Sequence, residues 1–177
     1  MADACLPGYM FSWHGEKRCT TGCNMPMVYS RSHAENGVAV DVTVAVLADY
    51  ANVSQDGKLN IMGIFQEINP PVLPFVLPQM YLVLSLTAGP AEVGLARNVR
   101  IPLLDSDGQE IVSLQAQMRV PSSRRPGRRV SINEAIGLAG LTFPHAGDYA
   151  FHILIGDDDK ATVPLHVNEP MQEVTND

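Results

Sequence analysis

The sequence predicts an all-β sandwich of seven or eight antiparallel strands, on three observations. Apolar residues recur with period two from Val38 onward, which puts successive side chains on opposite faces of a sheet. Clusters rich in Gly, Asn, Asp and Pro separate the alternating runs, as "NVSQDGK", "SDGQ" and "HAGD" do. Near the end, "AGDYAF" sets a tyrosine after a Gly-Asp corner at the start of a penultimate strand.

Composition bounds the function classes. The chain has 177 residues, 46% hydrophobic, and suits one domain of residues 38–168 with a disordered extension over 1–37 and a flexible acidic tail over 169–177. A formal charge of −7 repels phosphate backbones, so nucleic acid is an unlikely general partner. No run approaches the ~18 apolar residues of a membrane span, and the N-terminus lacks the order of a signal peptide, so the expectation is cytoplasmic.

Residues 1–37 differ from the rest. They hold Cys5, Cys19, Cys23, Trp13, His14 and His33, and the remainder of the chain has no cysteine. Zinc is the sharp reading of "HGEKRCTTGC", but the pair Cys19 and Cys23 has three intervening residues and no second pair, so a disordered extension is the plainer one. A start of the natural chain at Met27 or at Val38 would also explain why every oddity lies upstream.

The first strand, "VAVDVTVAVLADY", places Val40, Val42, Val44 and Val46 on one face and Asp41, Thr43 and Asp49 on the other. Residues 49–56 then read mainly as a loop, with Asp56-Gly57 supplying the positive φ of a tight turn. In "KLNIMGIFQEI" the apolar parity changes at Gly63, from Leu59 and Ile61 to Ile64 and Ile68, as a bulge would produce. The four prolines from Pro70 to Pro78 argue against helix and central strand and predict a crossing between sheets.

"MYLVLSLTA" reads as a buried strand. The next, "GLARNVRIPLLD", places Leu95, Val99, Ile101 and Leu103 inward, and Pro102 hints at an edge strand. "IVSLQAQMRV" offers Val112, Leu114, Ala116, Met118 and Val120 to the core. "LLDSDGQEI" fails as a calcium loop, because Glu110 and Ala116 stand where the loop needs its glycine and its bidentate glutamate. A two-residue type I′ turn at Asp107-Gly108 instead opposes Leu103 to Val112 and Ile101 to Leu114, apolar to apolar.

The final pair of strands points Tyr149, Phe151, Ile153 and Ile155 one way and Ala161, Val163, Leu165 and Val167 likewise. The Gly-Asp-Tyr corner resembles the tyrosine corner of Ig-like or fibronectin-like sandwiches, without their cysteine and tryptophan partners. His152 and His166 fall on the outer face but offset along the ladder, and Asp157, Asp158 and Asp159 read as solvated charge, so no metal is expected. No cofactor motif is present either.

No G-x-S-x-G elbow or core-domain cysteine supports nucleophilic catalysis. The expected function is therefore a non-catalytic binding or accessory module, with an unknown protein or acidic surface as partner. Its candidate binding loop is Arg124, Arg125, Arg128 and Arg129, four of the nine basic residues after position 37. A secondary candidate surface is Asp49, Tyr50, Asn52 and Asp56. The alternatives are a small hydrolase using Asp49, Tyr50 and His145, and weak polyanion binding through the 124–129 loop. Residues 41–167, with "LADYANVS", "GKLNIMGIF", "LLDSDGQ" and "FPHAGDYAFHI", resemble a family of small bacterial proteins known only as a domain of unknown function. That resemblance implies a shared fold and carries no activity, cofactor or site residue.

Overall fold

Nine strands in two facing sheets make up the computed structural model, which describes residues 40–123 and 127–171. The expected extension, with its cysteines, and residues 172–177 of the tail lie outside the described residues. One sheet has the order β2-β1-β4-β7, from β1 (Val40–Val53), β2 (Leu59–Phe65), β4 (Phe75–Ala88) and β7 (Val130–Phe143). The other runs β3-β9-β8-β5-β6, from β3 (Glu67–Ile68), β5 (Ala96–Asp105), β6 (Glu110–Arg119), β8 (Gly147–Ile155) and β9 (Asp158–Val167). The all-β sandwich is thus as expected, but with nine strands in place of seven or eight and one parallel pairing, since two-residue β3 runs along β9.

The core lies between the sheets. Leu82, Leu84 and Leu86 of β4 face Ile101, Leu103, Phe151, Ile153, Val163 and Leu165, all buried and all in phase with the period-two reading. At about 1.5–3 kcal/mol for each fully buried large side chain, the twenty-two buried residues of this cluster dominate stability.

Several local expectations change. Val40 and Val42 stay in phase with the core, but a bulge between Val42 and Val44 shifts β1, so that Ala45 and Leu47 turn inward and Val44 and Val46 do not. The strand also runs on to Val53, so residues 49–53 are strand and only 54–58 form the turn. Pro78 sits inside β4, opposite Gly140 between the Leu77↔Leu141 and Gln79↔Ala139 rungs. It is tolerated because β1 pairs with β4 only from Tyr81 to Ala88, leaving that flank of the strand unpaired at Pro78. Pro102 does not mark an edge, since β5 lies between β6 and β8, and Leu95 is 46% exposed rather than inward. Ala116 is likewise exposed.

The β5–β6 register is the predicted one through Leu103↔Val112 and Ile101↔Leu114. Its turn is not type I′. The N–H of Gly108 donates to the Asp105 carbonyl (3.0 Å) and Asp105 to the Gln109 carbonyl (3.0 Å), and only Gly108 has positive φ, at 78°. The buried Asp105 carboxylate accepts from the N–H groups of Asp107 (3.0 Å) and Gln109 (2.8 Å), which favours three residues in the loop over two. An extra residue, Ile111, restores the register.

Similarly, β8 and β9 are joined by two residues, Gly156 and Asp157, and a bulge at Lys160 keeps the inward residues of both strands in phase. Glu92 is nearly buried, 4% exposed, in the short 3-10 turn Pro90–Glu92. Arg97 grips it with two bonds, Nε at 2.7 Å and Nη2 at 2.8 Å, so the charge is paired where it is desolvated.

Candidate functional site

A second, smaller cluster decides which surface the domain offers. By register, Val46, Val83 and Ala135 point away from the main core, toward what ought to be solvent. Yet Val83 is fully buried, together with Ala48 and Ala51, and Leu59, Ile61 and Tyr81 pack with them. The end of the β1–β2 hairpin therefore folds back over the outer face of its own sheet. Asn133 on β7 fixes the tip by donating its amide to the Gly57 carbonyl (2.7 Å), while Ser85 donates its hydroxyl to the Asn133 side chain (2.7 Å).

Gly63 permits this fold. Its φ is 66°, and a Cβ there would lie 2.1 Å from the Asp49 carboxylate that crosses it. The pairing of β1 with β2 keeps one register on both sides of Gly63, so no residue is inserted. The expected bulge and change of face are therefore absent: Leu59, Ile61 and Phe65 keep the covered side, Ile64 stays exposed, and Gly63 acts as a left-handed glycine within an unbroken register.

The outward side of the folded hairpin is partly apolar, with no charged residue on β2 itself. Met62 is 65% exposed, Ile64 61% and Tyr50 46%. Tyr50 meets Tyr81 edge-on at 5.4 Å. A chain of side-chain bonds runs along the same surface, from Asn60 to Asn52 (2.8 Å), from Asn52 to the Tyr50 hydroxyl (3.2 Å), and from Gln79 to the Tyr81 hydroxyl (2.8 Å). This presents aromatic and thioether groups held in place by amides, the composition enriched at interface cores.

Of the secondary candidate surface, the structure gathers only Tyr50 and Asn52. Asp49 lies against Gly63, and Asp56 belongs to the turn, where Lys58 (2.5 Å) and the Ser54 hydroxyl (2.5 Å) bind it. Lys58 first and Ser54 second hold the Asp56 carboxyl below the usual carboxylate range. Met62 and Ile64 were missed as site residues, because the fold-back that leaves them exposed rests on contacts distant in sequence.

The arginine loop is only partly in view. Arg124 and Arg125 lie outside the described residues. Arg128 is exposed, and Arg129 pairs with Asp41 of β1, so that arginine is tied to the sheet.

The hydrolase set is not assembled. His145 faces Asp105 (Nε2 to Oδ2, 3.8 Å) and stacks on Tyr149, whereas Tyr50 and Asp49 have the partners just given. Tyr149 is 2% exposed and donates its hydroxyl to the His145 carbonyl (2.8 Å), the tyrosine corner the sequence suggested. Burial raises its phenol above the ordinary tyrosine range, against the opposing effect of that bond.

A depression of about 520 Å³ opens on the outer face of the five-stranded sheet, lined by Glu67, Asp105, Ser106, Asp148, His152 and His166 among others. One rung crosses it, Glu67↔His166↔Asp148, on β3, β9 and β8. His166 Nδ1 lies 2.6 Å from Asp148, and His152 Nδ1 lies 2.8 Å from Asp159. As expected, the two histidines are offset, four residues apart on the ladder. Among the described residues no group of three or more His, Cys, Asp or Glu is placed to hold a metal, and no helix is long and apolar enough to cross a membrane.

No curated protein matches the chain. Among solved structures it is similar to the Pseudomonas fluorescens alkylpurine DNA glycosylase AlkC bound to DNA containing an abasic site analog, at 12% identity and a TM-score of 0.42. That match covers 75% of this chain and 31% of the glycosylase, so the chain spans about a third of its length. A family model matches residues 43–168, most of the chain and nearly all of the sandwich, and the chain belongs to that family of unknown function, DUF6941.

Proposed function

We propose that the domain is a non-catalytic binding module whose contact surface is the folded-back β1–β2 hairpin. The observation that carries this reading is the exposure of Met62, Ile64 and Tyr50 side by side on a strand pair with no charge between Lys58 and Glu67 on β2. Large apolar side chains kept in water offer a partner a desolvation gain, and although Val72, Val76 and Leu95 are also exposed, Tyr50, Met62 and Ile64 lie on neighbouring rungs of one strand pair. The bonds among Asn60, Asn52 and Tyr50 hold the surface in shape before contact, which lowers the ordering cost of binding.

Affinity capture from the native host tests it. Protein retained by the wild-type domain should be lost with Met62→Lys combined with Ile64→Lys. The same protein should be retained when Arg124, Arg125, Arg128 and Arg129 are replaced by serine. Retention by the hairpin variant and loss with the arginine variant would overturn the reading in favour of the loop. Equal retention by all three would remove both surfaces.

A further inference from the structure

We infer that the partner of this surface is a basic protein segment carrying an apolar anchor within a few residues of its Lys or Arg side chains. The inference rests on the hairpin as contact surface and adds the chemistry of what binds it.

Covalent geometry sets the spacing. Ile64 is the last exposed apolar residue of β2, and Glu67 opens β3 on the other sheet. Only Phe65 and Gln66 lie between them, three backbone steps, so their Cα atoms are at most about 11 Å apart. Ile64, at the end of the apolar patch, and Glu67, at the lip of the depression, therefore come close at the margin of the sandwich, where the chain crosses from one sheet to the other.

Charge then selects the occupant. Beyond the crossing, the rung Glu67↔His166↔Asp148 sets two exposed carboxylates on either side of one imidazole. Asp148 is shared with His166, while no cation among the described residues pairs with Glu67. On the near side Asp49, exposed, crosses Gly63 between Met62 and Ile64, also without a paired cation among the described residues. The third carboxylate of the depression, Asp105, is buried and spent on its own turn, so it takes no part. An apolar patch bordered by Asp49 and Glu67 and leading to Asp148 complements an anchor flanked by cations. A second copy of this chain, with its net charge of −7, would bring like charge to the same place.

Selection from a phage-displayed random dodecapeptide library on the immobilised full chain tests this without assuming a sequence. The expected pool is enriched in peptides with an aromatic or aliphatic residue within about four positions of two or more Lys or Arg. Their affinity should fall at least fivefold between about 0.05 and 0.3 M salt. Selection on Glu67→Gln combined with Asp148→Asn should lose the basic bias and keep the apolar one. Selection on Met62→Ser combined with Ile64→Ser should lose enrichment altogether. All four positions are exposed, and unchanged thermal melting verifies that the variants fold. A wild-type pool with apolar but no basic enrichment overturns the basic partner and leaves the hairpin reading standing. A basic pool that survives Met62→Ser with Ile64→Ser overturns the hairpin reading itself. An unenriched pool overturns the inference.

Discussion

Two hairpins in this domain close with the same turn and then part company. In both, three residues ending in an Asp-Gly pair link the strands, with glycine at positive φ, Gly57 at 82° and Gly108 at 78°. A side chain at the first turn position, Ser54 or Asp105, binds the closing residue's N–H in each. The β5–β6 hairpin lies in its sheet with apolar rungs facing the core, whereas the β1–β2 hairpin folds at Gly63 and covers the back of its own sheet. Turn chemistry thus settles how a hairpin closes, and distant contacts settle where it lies. The folded tip is also the more weakly held of the two, because its cluster has three buried residues against the twenty-two of the main core.

The largest way to break the contrast is Gly63→Val. A β-branched residue at φ 66° that also meets the Asp49 carboxylate should cost about 3 kcal/mol in urea unfolding. Removing the collision with Asp49→Ala should recover part of that loss, and an unaltered midpoint for Gly63→Val would mean that the fold at Gly63 is not required. Tyr149→Phe serves the other sheet. It removes the bond from the buried Tyr149 hydroxyl to the His145 carbonyl and should cost about 1–2 kcal/mol. The raised phenol pKa gives the sign with pH: the buried form is neutral, so its stabilisation is full below the ordinary tyrosine range and fades as pH rises through the folded value. Tyr149→Phe should flatten that alkaline loss.

The twin turns allow a sharper comparison. Gly57→Val and Gly108→Val should each cost about 1–2 kcal/mol, since nothing lies within 4 Å of either position and backbone strain alone acts. Similar losses would establish that the two turns are energetically alike although their hairpins are not.

Much of this was readable from residue order. Period two placed Leu103, Phe151 and Leu165 in the core, apolar pairing fixed the β5–β6 register, and Gly-Asp-Tyr marked the corner. The turn type was not, because Asp105 capping two N–H groups is a side-chain choice that tipped the loop from two residues to three. Pro78 and Pro102 misled for a related reason: a proline excludes a backbone donor at one position, and whether that position needs one depends on how far the neighbouring strand extends. The contact surface was half visible. Tyr50 and Asn52 stood out as polar groups, but the fold that exposes Met62 and Ile64 depends on Asn133 reaching Gly57 across seventy-six positions of sequence. No local signal carries that.

Asn133→Ala should accordingly cost about 1 kcal/mol globally. It should also raise amide exchange over residues 59–61 by severalfold while leaving residues 111–118 unchanged. Equal acceleration in both hairpins would show that the tip does not open on its own. The smallest effect belongs to Asp56. Its lowered carboxyl pKa means that the contribution is present above the ordinary carboxylate range and lost as pH falls through the folded value, so Asp56→Asn should remove only a slight acid sensitivity of the tip.

Each sheet margin is interrupted. In β2 the break is Gly63, in β7 it is Gly140 at φ 68°, β6 carries the extra residue Ile111, and β3 is two residues long. An unbroken margin would template further strands and seed fibres, above all beside exposed Met62 and Ile64. These breaks deny a growing cross-β stack the straight backbone it needs, beside the very side chains that would otherwise favour it.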